Sequence, residues 1–197
     1  MKIAVCVKQV VTREWQLRVN DAKTWIRDTD ASFELNEPDA YALEEALRLK
    51  EKQGGEVVVC SAGPARAAQV IREALARGAD RAIHVESDAL ATADAMTTAS
   101  ALAEAVRSEQ FDLVLTGLQS DDQGFGQVGV VLAEKLGMQP SRLAHRLKWP
   151  GPSPRSSKPD AAISSRNWRG SSSVPTPCSS GHPPRFPRAA RGLPVTT

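Results

Sequence analysis

The sequence predicts an α/β fold built on a doubly wound, mostly parallel sheet. Short aliphatic runs typical of buried strands alternate with stretches whose apolar residues recur at helical spacing. Glycine and proline separate the two kinds of segment. The helices are long enough to serve as right-handed crossovers between parallel strands. All three features are confined to residues 1–148 of the 197-residue chain.

The first half of the predicted domain contains a strand, a hairpin and a helix. An aliphatic run predicts the first strand at residues 2–7. Alternating polar and apolar residues at 16–35 predict a hairpin with its turn near Asn20. A helix is predicted from Asn36, a residue type suited to capping an N-terminus, to the stop at Gly54.

The second half alternates strands with helices. The strands are predicted at residues 56–61, 81–85 and 111–116, and the helices between Pro64 and Gly78, at 92–107 and at 128–136. Met96 is expected to point inward with the other apolar residues of its helix. Strands separated in this way favour a parallel sheet covered on both faces.

Residues 149–197 have a different composition. They hold 10 of the 13 prolines and 10 serines, with few aliphatic residues. Such a segment buries too little apolar surface to offset the entropy of ordering it, so we expect a disordered tail after a domain at 1–148. The tail has six arginines, one lysine and one acidic residue, Asp160, so its net charge is about +6. Because the whole chain has a net charge of +2, the domain must carry about −4.

These totals exclude several classes of function. A mildly acidic domain gives no reason to expect nucleic-acid binding. No apolar run is long enough to span a bilayer and the N-terminus does not resemble a signal peptide, so we expect no membrane insertion. The three cysteines, Cys6, Cys60 and Cys178, are too widely spaced for a disulfide framework or zinc site and suit a reducing cytoplasm. No residue arrangement indicates covalent or acid–base catalysis.

The most informative segment follows the strand at 111–116. Open parallel sheets bind ligands beyond the carboxyl ends of their strands, and here Gly124 and Gly126 let the backbone approach a ligand closely. The next helix begins near Gln127 and presents free N–H groups to an anion. No Lys or Arg lies in this loop, so we expect backbone N–H groups alone to meet the anion.

Asp121 and Asp122 are then expected to point away from a phosphate. They are free to cap amides of their own loop, or to accept from ribose hydroxyls or an adenine amine. A polar turn held by its own aspartates, with no ligand, remains the alternative at this point.

Four motifs, in order, resemble the beta subunit of electron transfer flavoprotein. They are MKIAVCVKQV at the start, NEPDAYALEEALRLKE, SAGPARAAQVIREALARGADRAIHV and TGLQSDDQGFGQVG. The resemblance implies a fold of the adenine-nucleotide-binding, HUP-like type. It also implies an electron-carrier subunit rather than an enzyme, paired in a heterodimer with an alpha subunit that holds most of the redox-active FAD. The intact family protein relays electrons from acyl-CoA or related dehydrogenases to the respiratory chain or ferredoxin-linked partners.

The resemblance further implies a bound AMP with a structural role, or a second FAD as in electron-bifurcating members. Carried over by position, the cofactor-binding residues are Cys6, Asn36, Glu37, Pro38, Asp39, Ala62, Gly117, Leu118, Gln119, Ser120, Asp121, Asp122, Gln123, Gly124, Phe125, Gly126, Gln127 and Val128. The phosphate is expected against 124–127. Asp121 or Asp122 is expected to face the adenine or ribose.

The sequence departs from the family at three places. Val128 lacks the hydroxyl that commonly contacts the phosphate, and Asn36-Glu37-Pro38 shifts the prolyl turn. Beyond residue 149 the family pattern stops, including the partner-docking loop and the arm that embraces the alpha subunit. We expect a reading-frame shift there: residues 166–170, read one frame over with one choice of codons, give Glu-Leu-Glu-Gly, similar to a family hairpin. The gene's nucleotide sequence tests this, and a natural disordered extension is the alternative.

Two other functions stay open on the sequence alone. One is a free-standing adenine-nucleotide sensor of the universal-stress-protein type, which has a related fold but needs no alpha partner. The other is a nonfunctional truncated product. The hairpin at 16–35 and the helix that follows it favour the flavoprotein, because a minimal sensor has no place for them.

Overall fold

A computed structural model describes residues 1–29, 31–142 and 160–164. Its strands are β1 (Lys2–Cys6), β2 (Gln9–Val11), β3 (Phe33–Leu35), β4 (Glu56–Gly63), β5 (Arg81–Glu86), β6 (Leu113–Gly117), β7 (Gln139–Arg142) and β8 (Asp160–Ser164). Its helices are α1 (Glu37–Gln53), α2 (Ala68–Ala76), α3 (Ala95–Val106) and α4 (Val128–Leu136). None of these helices is both long and apolar enough to cross a membrane.

The main sheet has the strand order β5-β4-β1-β6-β8-β7, and its neighbouring strands run parallel. The chain moves outward from β1 to β4 and β5, then returns to place β6 on the other side of β1. The order therefore reverses between β1 and β6, where such sheets bind their ligands. The predicted fold class, α/β and doubly wound, is confirmed.

Helices cover both faces of the sheet. On one face, α1 and α2 pack with residues such as Ile3, Val5 and Val59. On the other face, α3 and α4 pack with the alternate residues of the same strands, including Ala4 and Val58. Successive residues of a strand point to opposite faces, so β1 and β4 need apolar side chains at nearly every position. This is why they read as continuous aliphatic runs rather than as alternating ones.

The hairpin differs from its prediction. The antiparallel ladder pairs β2 with β3. Of these two strands, β3 lies within the predicted stretch at 16–35, whereas β2 precedes it. Within 16–29, the structure has one isolated bridge, between Val19 and Ile26. Val19 is 65% exposed. Because the alternating residues here have no core to cover, a longer two-stranded ladder gains too little burial to form.

Two side chains also differ from prediction. Asn36 occupies the N-cap position of α1 but makes no capping hydrogen bond; its side chain is used elsewhere, as shown below. Met96 is 55% exposed instead of buried. The helix α3 starts only at Ala95, after a short 3-10 turn at Asp88–Thr92, so Met96 lies in the first turn, at the end of the packed face.

Strands β7 and β8 were not predicted. Asp160–Ser164 belongs to the segment expected to be a disordered tail, yet it pairs with both β6 and β7. Backbone pairing needs no apolar pattern, so composition gave no sign of it. The rest of that segment, and the predicted boundary at 148–149, lie outside the described residues.

Candidate nucleotide-binding site

A cavity opens at the carboxyl ends of β1, β4 and β6, where the strand order reverses. Its volume is about 840 Å³, counting the space that opens to solvent. Its lining residues are Cys6, Val7, Lys8, Asn36, Asp39, Ala62, Leu90, Ala91, Ala93, Asp94, Ala95, Thr98, Leu102, Thr116, Gly117, Leu118, Gln119, Ser120, Gln123, Phe125, Gly126, Gln127, Val128 and Gly129.

The inner end of the cavity is formed by β1 and β6. Cys6 and Thr116 are paired in register there, so both side chains point to the same face of the sheet. The Thr116 Oγ1 atom is buried without a hydrogen-bond partner. Burial, with smaller contributions from Cys60 and Asp39, raises the pKa of the Cys6 thiol well above its usual value. The inner end therefore offers an uncharged thiol and a hydroxyl free to bond a ligand.

Asp39 ties three elements together beside the cavity. Its Oδ2 accepts the N–H of Lys8 at 2.9 Å, and its Oδ1 accepts the N–H of Gly117 at 2.9 Å. The carboxyl is buried, 7% exposed. Burial raises its pKa to about 7, although hydrogen bonds from Asn36, Lys8 and Gly117 act in the opposite direction.

Asn36 fixes the loop that follows β6 to the start of α1. Its Nδ2 donates to the Gln119 carbonyl oxygen at 3.0 Å, and its Oδ1 accepts the Asp121 N–H at 3.0 Å. Asn36 is 1% exposed, so its own side of both bonds is shielded from water. The amide that local sequence assigned to helix capping instead positions a segment more than eighty residues away.

Two cations reach this loop although its own sequence contains none. Lys8 reaches it from the segment after β1, and its Nζ lies 2.7 Å from Asp122 Oδ1. Arg13 lies 3.1 Å from Asp121 Oδ2 and 2.9 Å from Glu37 Oε2. Asp122 thus has a counter-ion from the segment between β1 and β2, and Asp121 has one from the segment after β2. The sequence of the loop itself contains neither cation.

Neither aspartate lines the cavity. Asp122 Oδ1 also accepts the N–H of Gln123 at 2.7 Å, so this carboxylate caps an amide of its own loop. That was one of the uses expected of it.

The loop ends in two glycines with left-handed backbone. Gly124 has φ 67° and Gly126 has φ 62°, and a Cβ on Gly126 would lie 3.4 Å from the Leu118 carbonyl oxygen. The turn leads directly into α4, whose N-cap residue, Gln127, makes no side-chain capping bond. The first N–H groups of α4 are therefore available to an acceptor at the cavity, where Gly129 forms part of the wall.

One wall of the cavity was missed by sequence reasoning. It comes from the segment after β5 and the start of α3: Leu90, Ala91, Ala93, Asp94, Ala95, Thr98 and Leu102. Most of these residues are apolar. Asp94 caps α3 by accepting the Thr97 N–H at 2.7 Å, and this bond lowers its pKa. The rule that ligands bind at strand ends applies to β5 as well, and applying it there would have found this wall.

Comparison with known proteins identifies the family. An electron transfer flavoprotein domain matches residues 24–151. The chain belongs to the electron transfer flavoprotein family. The match extends over most of the chain and includes three of the four motifs quoted above.

Several curated proteins are similar to this chain. The beta subunit from Thermoanaerobacterium thermosaccharolyticum is 44% identical over 137 residues, covering 69% of this chain and 52% of the relative. That from Methylophilus methylotrophus is 38% identical over 138 residues, with 69% and 52% covered. The FixA protein of Azorhizobium caulinodans is 41% identical over 143 residues, with 70% and 50% covered. The chain spans about half the length of these relatives.

The structure brings together most residues of the pocket that the flavoprotein resemblance implied. Cys6, Asn36, Asp39, Ala62, Gly117, Leu118, Gln119, Ser120, Gln123, Phe125, Gly126, Gln127 and Val128 line the cavity, and Glu37, Pro38, Asp121, Asp122 and Gly124 do not. Glu37 points outward, where its carboxylate accepts the Tyr41 hydroxyl at 2.7 Å. No cluster of potential metal ligands occurs among the described residues.

Proposed function

We propose that this chain is the nucleotide-binding part of an electron transfer flavoprotein beta subunit. It binds AMP in the cavity between β1 and β6 and pairs with an FAD-carrying alpha subunit. The heterodimer relays electrons from dehydrogenases to the respiratory chain or to ferredoxin-linked partners, with the FAD of the alpha subunit as the redox centre. The observation that carries the proposal is a cavity at the switch point of the sheet in a chain of this family.

The chemistry of the cavity fits an adenylate. Its apolar wall residues, among them Leu90, Ala91 and Phe125, suit an adenine ring. Its polar groups include the uncapped N-terminus of α4, whose N–H groups are available to a phosphate. Asp94 is a negatively charged acceptor for ribose hydroxyls or the adenine amine, and the unpartnered Thr116 hydroxyl supplies a further bond.

Pairing is tested by co-expression with a tagged alpha subunit of the family, with a full-length beta subunit as the positive control. We expect the full chain to copurify with the alpha subunit and its FAD. A chain that binds nucleotide but forms homodimers, with no affinity for the alpha subunit, would contradict the pairing part of the proposal and would match a sensor protein.

Phe125 is expected to stack on the adenine ring. It lines the cavity between the two left-handed glycines and is 58% exposed, so a base covering it removes apolar surface from water. Stacking on an aromatic side chain contributes about 1–3 kcal/mol per base. Phe125→Ala should therefore weaken AMP binding by roughly fivefold to 150-fold, measured by calorimetric titration.

A matched control is Met96→Ala. Met96 is a similarly exposed large apolar residue, 55% exposed, near the same end of the sheet but not in the cavity wall. Its replacement should leave AMP affinity within about twofold of wild type. Equal affinities of the Phe125→Ala chain and the wild type would rule out stacking.

A further inference from the structure

Lys8 holds an unusual position in the site. Its Nζ donates to Asp122 Oδ1 at 2.7 Å, to Gln123 Oε1 at 3.0 Å and to Ser120 Oγ at 3.3 Å. All three acceptors belong to the loop after β6, more than a hundred residues away. A single ammonium group therefore uses its full donor capacity on this loop.

The backbone of Lys8 is fixed as well. Its N–H donates to the buried carboxyl of Asp39, and its carbonyl oxygen accepts the Asn36 N–H at 3.0 Å. The side chain thus extends from a rigid base toward the loop. Its ammonium group has little freedom to leave the Asp122 carboxylate.

Lys8 and Asp122 differ in their access to the cavity. Lys8 lines it and Asp122 does not, so the pair links a residue of the cavity wall to an aspartate outside that wall. Burial of Asp122 raises the pKa of its carboxyl, but hydrogen bonds from Lys8 and Ser120 outweigh this and lower it overall. The carboxylate is therefore held in its charged form beside the site.

We infer that Lys8 is the counter-ion that lets an acidic loop accept a phosphate, because its ammonium group neutralises Asp122 beside the cavity. Without it, the phosphate would meet an uncompensated carboxylate, and like charges at short range in a partly buried site repel strongly. Lys8 is on this view a positioning and charge-balancing residue. The inference rests on the proposed function, since it assumes a ligand that carries phosphate.

Arg13 provides a comparison within the same loop. It pairs with the adjacent Asp121, but its side chain is 64% exposed and it does not line the cavity. Solvent screens this pair, so its charge has little effect on a ligand in the cavity. Arg13→Met is therefore the matched control for Lys8→Met.

The test is a double-mutant cycle on the full chain freed of copurified nucleotide, titrated with AMP and separately with adenosine. Lys8→Met should weaken AMP binding by roughly tenfold to a hundredfold and adenosine binding by less than about threefold. Asp122→Asn alone should tighten AMP binding several-fold. The double variant Lys8→Met with Asp122→Asn should return AMP affinity to within about threefold of wild type, because the local charge is balanced again.

Other outcomes overturn the inference. Equal losses for AMP and adenosine would mean that Lys8 only holds the loop in place. Charge balance at Asp122 would be excluded if the double variant bound AMP as weakly as Lys8→Met does. It would also be excluded if Arg13→Met bound AMP as weakly as Lys8→Met does. Lys8→Arg keeps the charge and should retain AMP affinity, which keeps the test usable if Lys8→Met folds poorly. A loss of AMP affinity in Lys8→Arg would also contradict the inference. A wild-type chain that binds neither ligand would instead overturn the proposed function itself.

Discussion

Gly117→Ala is expected to destabilise the chain by about 3 kcal/mol and to abolish nucleotide binding. A Cβ at this position would overlap Asp39 Oδ1 and lie 2.9 Å from both the Asp39 nitrogen and the Pro38 carbonyl carbon. Two of these are backbone atoms of α1, which cannot move without displacing the helix. The new methyl group would also break the bond from the Gly117 N–H to Asp39, which joins β6 to α1.

Urea unfolding measures the loss of stability, and the nucleotide content of the purified chain measures the loss of the site. Gly63→Ala is the matched control, since Gly63 ends β4 as Gly117 ends β6. A Cβ there would meet only Ala67 Cβ, at an ordinary 3.5 Å. This variant should keep its stability within about 1 kcal/mol, and equal stabilities of the two variants would show that the close approach at Gly117 is not a constraint.

Asp39 is expected to make the chain less stable as the pH rises toward 8. Burial raises the pKa of its carboxyl from 3.8 to about 7 in the folded protein, so the folded state binds more protons than the unfolded state between these values. The contribution of Asp39 to stability is therefore fully present below the unfolded pKa and is lost as the pH rises through the folded pKa. The shift corresponds to a loss on the order of 4 kcal/mol.

Asp39→Asn isolates this effect, because the variant cannot titrate at this position while all other groups stay the same. The free energy of unfolding of the wild type minus that of the variant should fall from about pH 4 to about pH 8. Urea unfolding at several pH values gives this difference. A difference that is flat or rises with pH would mean that Asp39 is an ordinary ionised carboxylate despite its burial.

Local sequence predicted some elements closely. The helix α4 has its predicted bounds, since a glycine-rich turn precedes it and Gly137, with φ 66°, ends it. Signals of this kind act within a few residues of the helix end, so they do not depend on tertiary context. The same holds for β1 and β4, whose unbroken apolar runs reflect burial on both faces.

Contacts between distant segments could not be predicted in this way. The chemistry of Lys8 gives no sign that Asp122 will be its partner, because the pairing depends on β1 and β6 lying side by side. Asn36 illustrates the same limit: its type predicted a helix cap, and the folded chain uses its amide to hold Gln119 and Asp121. Lys8 and Arg13 were missed because they follow β1 and β2, whereas the loop whose aspartates they neutralise follows β6.

Exposure was also misjudged where an element ends. Met96 has the right spacing for the buried face of α3 but lies in its first turn, beyond the packed part of the helix. The hairpin at 16–35 alternates as a strand should, yet most of it has no core to cover. Periodicity shows which residues share a face, and only the fold shows whether another element covers that face.

The most direct test of this account is to identify what the cavity holds. The full chain is purified, denatured in acid, and the released small molecules are identified by mass and quantified against protein. The account predicts AMP in an amount equimolar with the chain, and much less of it from Gly117→Ala. FAD in place of AMP would assign the cavity to a second flavin, and the absence of any adenine nucleotide from folded wild-type protein would contradict the account.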